Sequence, residues 1–443
     1  MTNTNLEIID RVKHFLIDVK ERPLFREQFT TFHTAFTKDR KLPFDNIVYL
    51  VISLLKRSLS IELEEFFSSN CPKKKSASKV AFSKQRSKLV YTFFTWWNTI
   101  LVNSFYDCYK EKVKRWCGFR LMAVDGSTAY LINKPELIEY FDIQANQSMS
   151  IAMGRIMQVH DVLNDITVYA QMLPISISEQ TIIKRWIPYF EKDMLAIYDR
   201  GFPSFAMIFL HLSEEQPVHF VMRCKNGFNK EVCAFEATRQ TSQIVDFKAT
   251  ENAIDELHKH GYIITKETIV KVRLVKIPLE DGTIEILITS LLDKKEYPNA
   301  IFKDLYFKRW AIETNYGIKK NCLQMEIFSG YKVNTVLQDF YATVFVNNLQ
   351  SILSKPPEMS INNNKSNRKH NYKPNKNLAI GFLKKRIVGL FMTSNPLEIL
   401  IELEALFERH TEPIRPGRKL LRIVKNKRKK GKYYTLTNYK RAI

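Results

Sequence analysis

The sequence predicts a mixed α/β fold, a sheet flanked by helices, with a helical region before it and a helical, basic region after it. Three observations carry this expectation. Residues 119–124 (FRLMAV) and 194–198 (MLAIY) are short apolar runs of the kind found in strands buried on both faces, and each is followed at once by an aspartate, Asp125 and Asp199. Residues 151–162 and 166–173 flank Leu163-Asn164-Asp165 and read as a hairpin. Helical segments alternate with these strands: residues 178–190, capped by Ser178 with Glu179 behind it, and residues 204–212, which precede a strand at 218–224.

The flanking regions follow from periodicity and charge. Residues 1–117 read as a helical N-terminal domain, with Ile47, Leu50, Val51, Leu54 and Leu55 at helical spacing and Ser60 opening a further run through Ile61, Leu63, Phe66 and Phe67. Within it, residues 72–88 crowd Lys73, Lys74, Lys75, Lys79, Lys84, Arg86 and Lys88 into a stretch without an acid. A helix starting near Ser78 places Lys84 and Lys88 on one face, and contact of Lys79, Lys84, Arg86 and Lys88 with DNA is expected ahead of the alternative, a solvated basic helix. The central domain spans residues 118–350, with a strand-rich insertion at about 225–283. Residues 351–376 are rich in Asn, Lys and Pro and read as a linker or exposed loop, and 377–443 as a helical C-terminal region. Its tail carries twelve Lys or Arg from Arg415 to Arg441 and no acid.

Composition narrows the class of partner. The 443 residues carry 68 Lys and Arg against 46 Asp and Glu, a net charge of +22, which favours a polyanion and above all nucleic acid. The longest apolar run, residues 47–55, is far short of the ~20 residues that span a bilayer, and the N-terminus has no charged segment leading into an apolar one. A soluble protein of the cytoplasm is therefore expected, without a membrane partner. Six scattered cysteines form no C-x-x-C pair, and His258 and His260 have no neighbouring ligands, so reduced thiols and a surface loop are expected rather than a disulfide framework or a zinc site.

The chemistry rests on three carboxylates. Tyr306, Arg309, Glu313 and Lys320 lie at offsets 0, 3, 7 and 14. On one continuous helix they would fall within roughly 60° of each other, as a stripe about 21 Å long. Such a stripe could be a row of surface ion pairs. Combined with Asp125 and Asp199, however, Glu313 completes a set of hard oxygen donors suited to divalent ions at a phosphodiester. Arg309 brings bidentate geometry for a phosphate and Lys320 a point charge, while Tyr306 could equally serve packing.

The spacing Y-x2-R-x3-E-x6-K, with Asp125 in an A-V-D-G-S setting and Asp199 in Y-D-R-G-F, resembles the signature of the insertion-sequence-four family of DDE transposases. The resemblance spans roughly residues 40–350. It implies an RNase H-like core interrupted by a β-rich insertion, and two Mg²⁺ ions (Mn²⁺ as a substitute) held by Asp125, Asp199 and Glu313. It further implies a cut-and-paste enzyme that nicks element ends, forms and reopens a hairpin, and joins the 3′-OH to target DNA, working as a homodimer on double-stranded DNA near the nucleoid of a prokaryote. Two other readings keep the sequence features: a nuclease or resolvase that only hydrolyses, and an inactive DNA-binding inhibitor of transposition. One departure is the absence of Trp between Trp186 and Trp310, where relatives often carry the residue that stacks on a flipped base. Phe220, Phe228, Phe235 and Tyr262 are the aromatics that could replace it.

Overall fold

The computed structural model describes residues 2–38, 40–73, 75–146, 149–213, 217–363 and 370–415, so most of the basic C-terminal tail lies outside the described residues. In chain order the elements are α1 (Thr2–Glu21), α2 (Pro23–Glu27), α3 (Phe44–Ser53), α4 (Leu59–Asn70), α5 (Lys79–Arg86), α6 (Thr92–Tyr109), β1 (Arg120–Tyr130), α7 (Pro135–Phe141), β2 (Ile143–Asn146) and β3 (Met149–Asp161). There follow β4 (Ile166–Pro174), α8 (Glu179–Trp186), β5 (Met194–Tyr198), α9 (Phe205–Ser213), β6 (His219–Arg223), α10 (Lys230–Ala237), β7 (Ser242–Lys248), α11 (Glu251–Lys259), β8 (Ile269–Pro278) and β9 (Ile284–Thr289). Last come α12 (Ile301–Phe307), α13 (Trp310–Asn321), α14 (Val333–Leu353), α15 (Lys355–Asn363), β10 (Asn371–Pro374), α16 (Lys376–Met392), α17 (Leu397–Arg409) and β11 (Thr411–Ile414).

The chain divides into two compact units, with boundaries inside β1, β3 and α13 and one before β1. One comprises residues 1–113, 128–154 and 317–443, the other residues 114–127 and 155–316. This differs from the expected succession of an N-terminal, a central and a C-terminal region. The reason is packing within the first unit: α14 is buried nearly all round and serves as a common core for helices from both ends of the chain. Trp97 of α6 stacks on Phe345 of α14 at 4.0 Å, meets Phe391 of α16 at 5.1 Å, and donates its indole N–H to the Val12 carbonyl of α1 at 2.9 Å. The stretch 351–376, expected as a linker or exposed loop, holds the end of α14, all of α15 and β10, with residues 364–369 outside the described set.

In the second unit the sheet runs β4–β3–β1–β5–β6–β9–β8–β7, mixed in direction. β1 and β5 are parallel neighbours, as are β5 and β6, while β9, β8 and β7 continue antiparallel. Every residue of β5 is buried because both faces of the sheet are covered. Val124, Ala196, Tyr198, Phe220 and Met222 face a layer containing Ile182 and Ile183 of α8 and Ala206 and Met207 of α9. Leu121, Leu195, Ile197 and Val221 face Phe302, Leu305 and Tyr306 of α12. Residues 225–283, expected as a β-rich insertion, contain α10 and α11 as well as β7 and β8, and both strands join the main sheet.

Candidate active site

The two aspartates are brought side by side by strand register. Val124 pairs with Tyr198 across parallel β1 and β5, so Asp125 and Asp199, the next residues, lie side by side, with strands about 4.8 Å apart; β5 ends there, whereas β1, expected to end at Asp125, continues to Tyr130. Side chains alternate along a strand, and Val124 faces the α8–α9 layer, so Asp125 points to the opposite face, where α12 packs. Tyr198 is fixed just before Asp199: its hydroxyl donates to Nε2 of His211 at 2.8 Å, and His211 Nδ1 donates to the Val218 carbonyl at 3.1 Å. Burial pushes the His211 imidazole down to about 3, which keeps it neutral and suits this arrangement.

The Y-R-E-K residues do not lie on one helix. α12 ends at Phe307 and α13 begins at Trp310. Between them the amides of Lys308, Arg309, Ala311 and Ile312 bond three residues back, to Leu305, Tyr306, Lys308 and Arg309. That tighter turn breaks the α-helical phase and places Arg309 in the connection. The segment leading into α12 is pinned from β8, where the buried Arg273 donates Nη1 to the carbonyl of Tyr297 at 2.7 Å and to those of Leu291 and Asp293 at 3.3 Å, and Nε to Ser242 Oγ at 2.8 Å. Its guanidinium lies 5.2 Å from the Phe302 ring. α13 is tied to the sheet by Tyr316, whose hydroxyl donates to the Asp125 carbonyl at 2.9 Å. Glu313 sits one turn earlier on that helix.

Arg309 links two of the three acids. Its Nη2 donates to Glu313 Oε1 at 3.0 Å and its Nη1 lies 3.7 Å from Asp125 Oδ2. The residue is only 5% exposed, yet Nε and Nη1 have no hydrogen-bond acceptor, and neither does the buried Tyr306 hydroxyl. Buried donors of this kind are costly unless something accepts from them. Burial pushes the Asp125 carboxyl up to about 6, against the Gly126 amide and Arg309, and with Glu179 and Asp199 adding repulsion. Asp199 Oδ1 accepts from the Arg200 amide and Asp125 Oδ1 from the Gly126 amide, the latter at 2.9 Å.

The donors suit a hard divalent cation in kind, being carboxylate oxygens carried by adjacent strands. As arranged, no group of three or more acidic, His or Cys side chains among the described residues encloses an ion. Arg309 occupies the gap between Asp125 and Glu313 instead. Asp125 and Asp199 would hold such an ion first, with Glu313 available once its guanidinium partner is engaged elsewhere.

Lys320 belongs to the first unit, where it donates to the Thr128 carbonyl at 2.6 Å and lies 3.5 Å from Glu326. Of the basic helix candidates, Lys79 and Lys84 are exposed, and α5 starts where expected, with Ser78 Oγ accepting from the Ala81 amide at 3.2 Å. Lys88 is half-buried, its ammonium 5.8 Å from the Phe32 ring. Arg86 corrects the expectation of a DNA contact: it is 2% exposed and bound to Gln338, Ser329, Thr335 and Asp339. Its helix turns this one cation inward because Phe82 and Gln85 on the same face are core residues. Phe220 and Phe235 are core residues too, and Phe228 and Tyr262 are packed against the core. The exposed aromatics beside Arg309 are instead Phe307 and Trp310, 71% and 50% exposed, with the Trp310 ring 5.5 Å from the guanidinium.

No protein-family profile matches the chain. A 238-residue stretch, 53% of the chain, is 21% identical to the transposase InsG for insertion sequence element IS4 of Escherichia coli (strain K12). The stretch covers 52% of that protein, so the chain spans about half the length of the curated relative it matches. A cryo-EM structure of a piggyBac transposase synaptic complex with hairpin DNA is similar over 94% of this chain and 87% of its own, with a TM-score of 0.41 and 10% identity. No helix among the described residues is long and apolar enough to cross a membrane.

Proposed function

We propose that the chain is a DNA transposase of an insertion sequence, which binds the element's ends as a homodimer, cleaves them and joins them to target DNA by a cut-and-paste route. The observation that carries this reading is the register of β1 and β5 that sets Asp125 beside Asp199, opposite an Arg309 that reaches Asp125 and Glu313 with unused donors. The similarity to an IS4 transposase over half the chain supports the same class of chemistry. The sheet and its covering helices are accordingly read as an RNase H-like core.

In this reading Asp125, Asp199 and Glu313 hold two divalent ions, Mg²⁺ or in its place Mn²⁺, which supply Lewis-acid charge to the attacking and leaving oxygens when bound. The remaining work falls to the protein's own groups. Arg309 exchanges its carboxylate partners for phosphate oxygens, which give acceptors to the unused Nε and Nη1 donors. The Tyr306 hydroxyl, also lacking an acceptor, donates to a neighbouring phosphate oxygen. Burial pushes its proton affinity up, so it stays a donor at neutral pH. Lys79, Lys84 and Lys88 in the first unit, together with Lys320, supply charge for the duplex.

The test uses the full chain with pre-cut ends taken from the DNA flanking the reading frame, Mg²⁺ and a supercoiled target plasmid. Joined products are expected. Nicked target without joining would reduce the protein to a nuclease, and end binding without any cleavage to an inactive DNA-binding protein.

A further inference from the structure

In the first unit, the end of α5 and the residues just after it hold both ends of one loop. The Thr31 amide donates to the Lys88 carbonyl at 2.9 Å and the Val90 amide to the Phe29 carbonyl at 2.8 Å, a short bridge centred on Thr30 and Leu89. At the other end, Gln85 Nε2 in the last turn of α5 donates to the Leu42 carbonyl at 3.1 Å. The loop between these ties is anchored from its middle, where Ala35 is buried and the Phe36 ring meets Phe44 edge-on at 5.4 Å. Phe32 is turned outward instead: it is 45% exposed, with the Lys88 ammonium 5.8 Å from its ring.

The charges at this junction are nearly all of one sign. Residues 66–106 contain no Asp or Glu, and residues 28–44 contain only Asp39, which lies outside the described residues. Lys79 and Lys84 on α5 and Lys38, Arg40 and Lys41 on the loop are exposed. No ion pair joins any of them, or Lys88, to a carboxylate among the described residues. Burial and the charge of Arg40 hold Lys88 below its ordinary pKa, so cations of the loop and of the α5 end lie within each other's field. Like charges gathered in this way are unfavourable in the free protein, and a polyanion laid across them offsets the repulsion. We propose that the exposed side of α5 and residues 31–41 form one surface for the backbone of duplex DNA, in which Arg40, Lys41, Lys84 and Lys88 take phosphates and Phe32 props the stem of Lys88. The proposal rests on reading the chain as an enzyme of DNA and adds a second segment, the loop, to the helix that meets the duplex; the test separates the two.

Binding of the full chain is followed by fluorescence anisotropy over a series of salt concentrations, on a duplex taken from the DNA flanking the reading frame and on a scrambled duplex of the same length. Thermal melts by circular dichroism check folding of each variant. Arg40→Gln and Lys88→Gln are each expected to shallow the slope of log affinity against log salt by about 0.9, and the double variant by about 1.8, on both duplexes, because a phosphate contact carries no sequence information. Lys112→Gln is the control: this exposed cation lies beyond the far end of α6, a helix about 27 Å long, and its loss should leave the slope unchanged. Phe32→Ala should weaken binding in the unaltered chain and add nothing once Lys88 is replaced by Gln. An equal loss in both backgrounds would overturn the propping role of Phe32. If the unaltered chain binds DNA and Arg40→Gln keeps its slope, the loop is no part of the surface, while the reading of the chain as an enzyme of DNA stands. A loss confined to the flanking duplex would overturn the assignment to phosphates. If the unaltered chain binds neither duplex, that reading and the surface fall together.

Discussion

Two clusters in this protein use the same side chains to opposite ends. In the first unit, Asp339 sits with Arg86 and Lys56, its carboxylate accepting from Arg86 Nη2 at 2.9 Å, from the Ser329 amide at 2.6 Å and from the Ser329 hydroxyl. Arg86 in turn spends Nε on Gln338 at 2.6 Å, Nη1 on Ser329, and Nη2 also on the Thr335 carbonyl at 3.2 Å. Although burial opposes its charge, Lys56, Arg86 and Ser329 hold the Asp339 carboxyl far below the usual range. In the second unit, Asp125 faces Arg309 without a hydrogen bond, the guanidinium keeps two donors idle, and Asp125 is pushed up to about 6. A buried ion cluster with every donor and acceptor engaged holds helices together. One with unspent donors and a destabilised carboxylate is prepared for something else.

The largest expected effect breaks the second cluster. Asp125→Ala, Asp199→Ala and Glu313→Ala should each abolish cleavage of element ends while gel-shift binding of those ends persists. A variant that still cleaves removes its residue from the site. In the first cluster the loss should appear as stability instead. Arg86→Ala or Asp339→Ala leaves a buried charge unpaired and should cost about 3–5 kcal/mol in urea unfolding. Should Arg86→Ala keep full stability and lose DNA affinity, the distinction between the clusters would collapse.

A smaller effect concerns Lys384, whose ammonium donates to the Ile52 and Leu54 carbonyls at 2.9 Å and which burial pushes down to about 7, with Lys56 adding repulsion. Its folded pKa lies below the unfolded one, so between about pH 7 and 10 the unfolded chain binds the extra proton. The Lys384 contribution should therefore make stability rise with pH across that window, by on the order of 1 kcal/mol per unit. Lys384→Met should flatten that slope in denaturant melts taken from pH 6 to 10, and an unchanged slope would remove Lys384 as its source. The smallest effect is on salt dependence. Lys320→Ala should shallow the slope of log affinity against log salt by about 0.9 if Lys320 gives up the Thr128 carbonyl for a phosphate. An unchanged slope leaves it as an internal brace.

Much of the local structure could be read directly from residue order. Apolar runs of four and five residues leading into an aspartate predicted the first half of β1 and all of β5, because a strand covered on both faces has no polar side to show; the continuation of β1 from Asp125 to Tyr130 was not announced in this way. Ser78 and Ser178 cap α5 and α8 as expected, since a cap depends only on the next few residues. Leu163-Asn164-Asp165 lies between β3 and β4, which pair as expected, and Asp165 adopts the left-handed backbone conformation at φ 56°.

Contacts between distant residues decided the rest. Nothing within a few residues of Glu179 announces that it leans over Gly126, or that Arg155, 24 positions earlier, holds it there. Arg86 looked like one more cation in a basic run, and its inward turn depends on Asp339, 253 positions away. The offsets of Tyr306, Arg309 and Glu313 suggested one helix because sequence spacing assumes a uniform turn, whereas the chain tightens at Lys308 and Arg309. The sequence by itself determined which residue types are available and where strands and caps begin, since propensity and patterning are local. Only the tertiary structure decided which of those charges are satisfied and which are left open, because burial and partner are set by the whole fold.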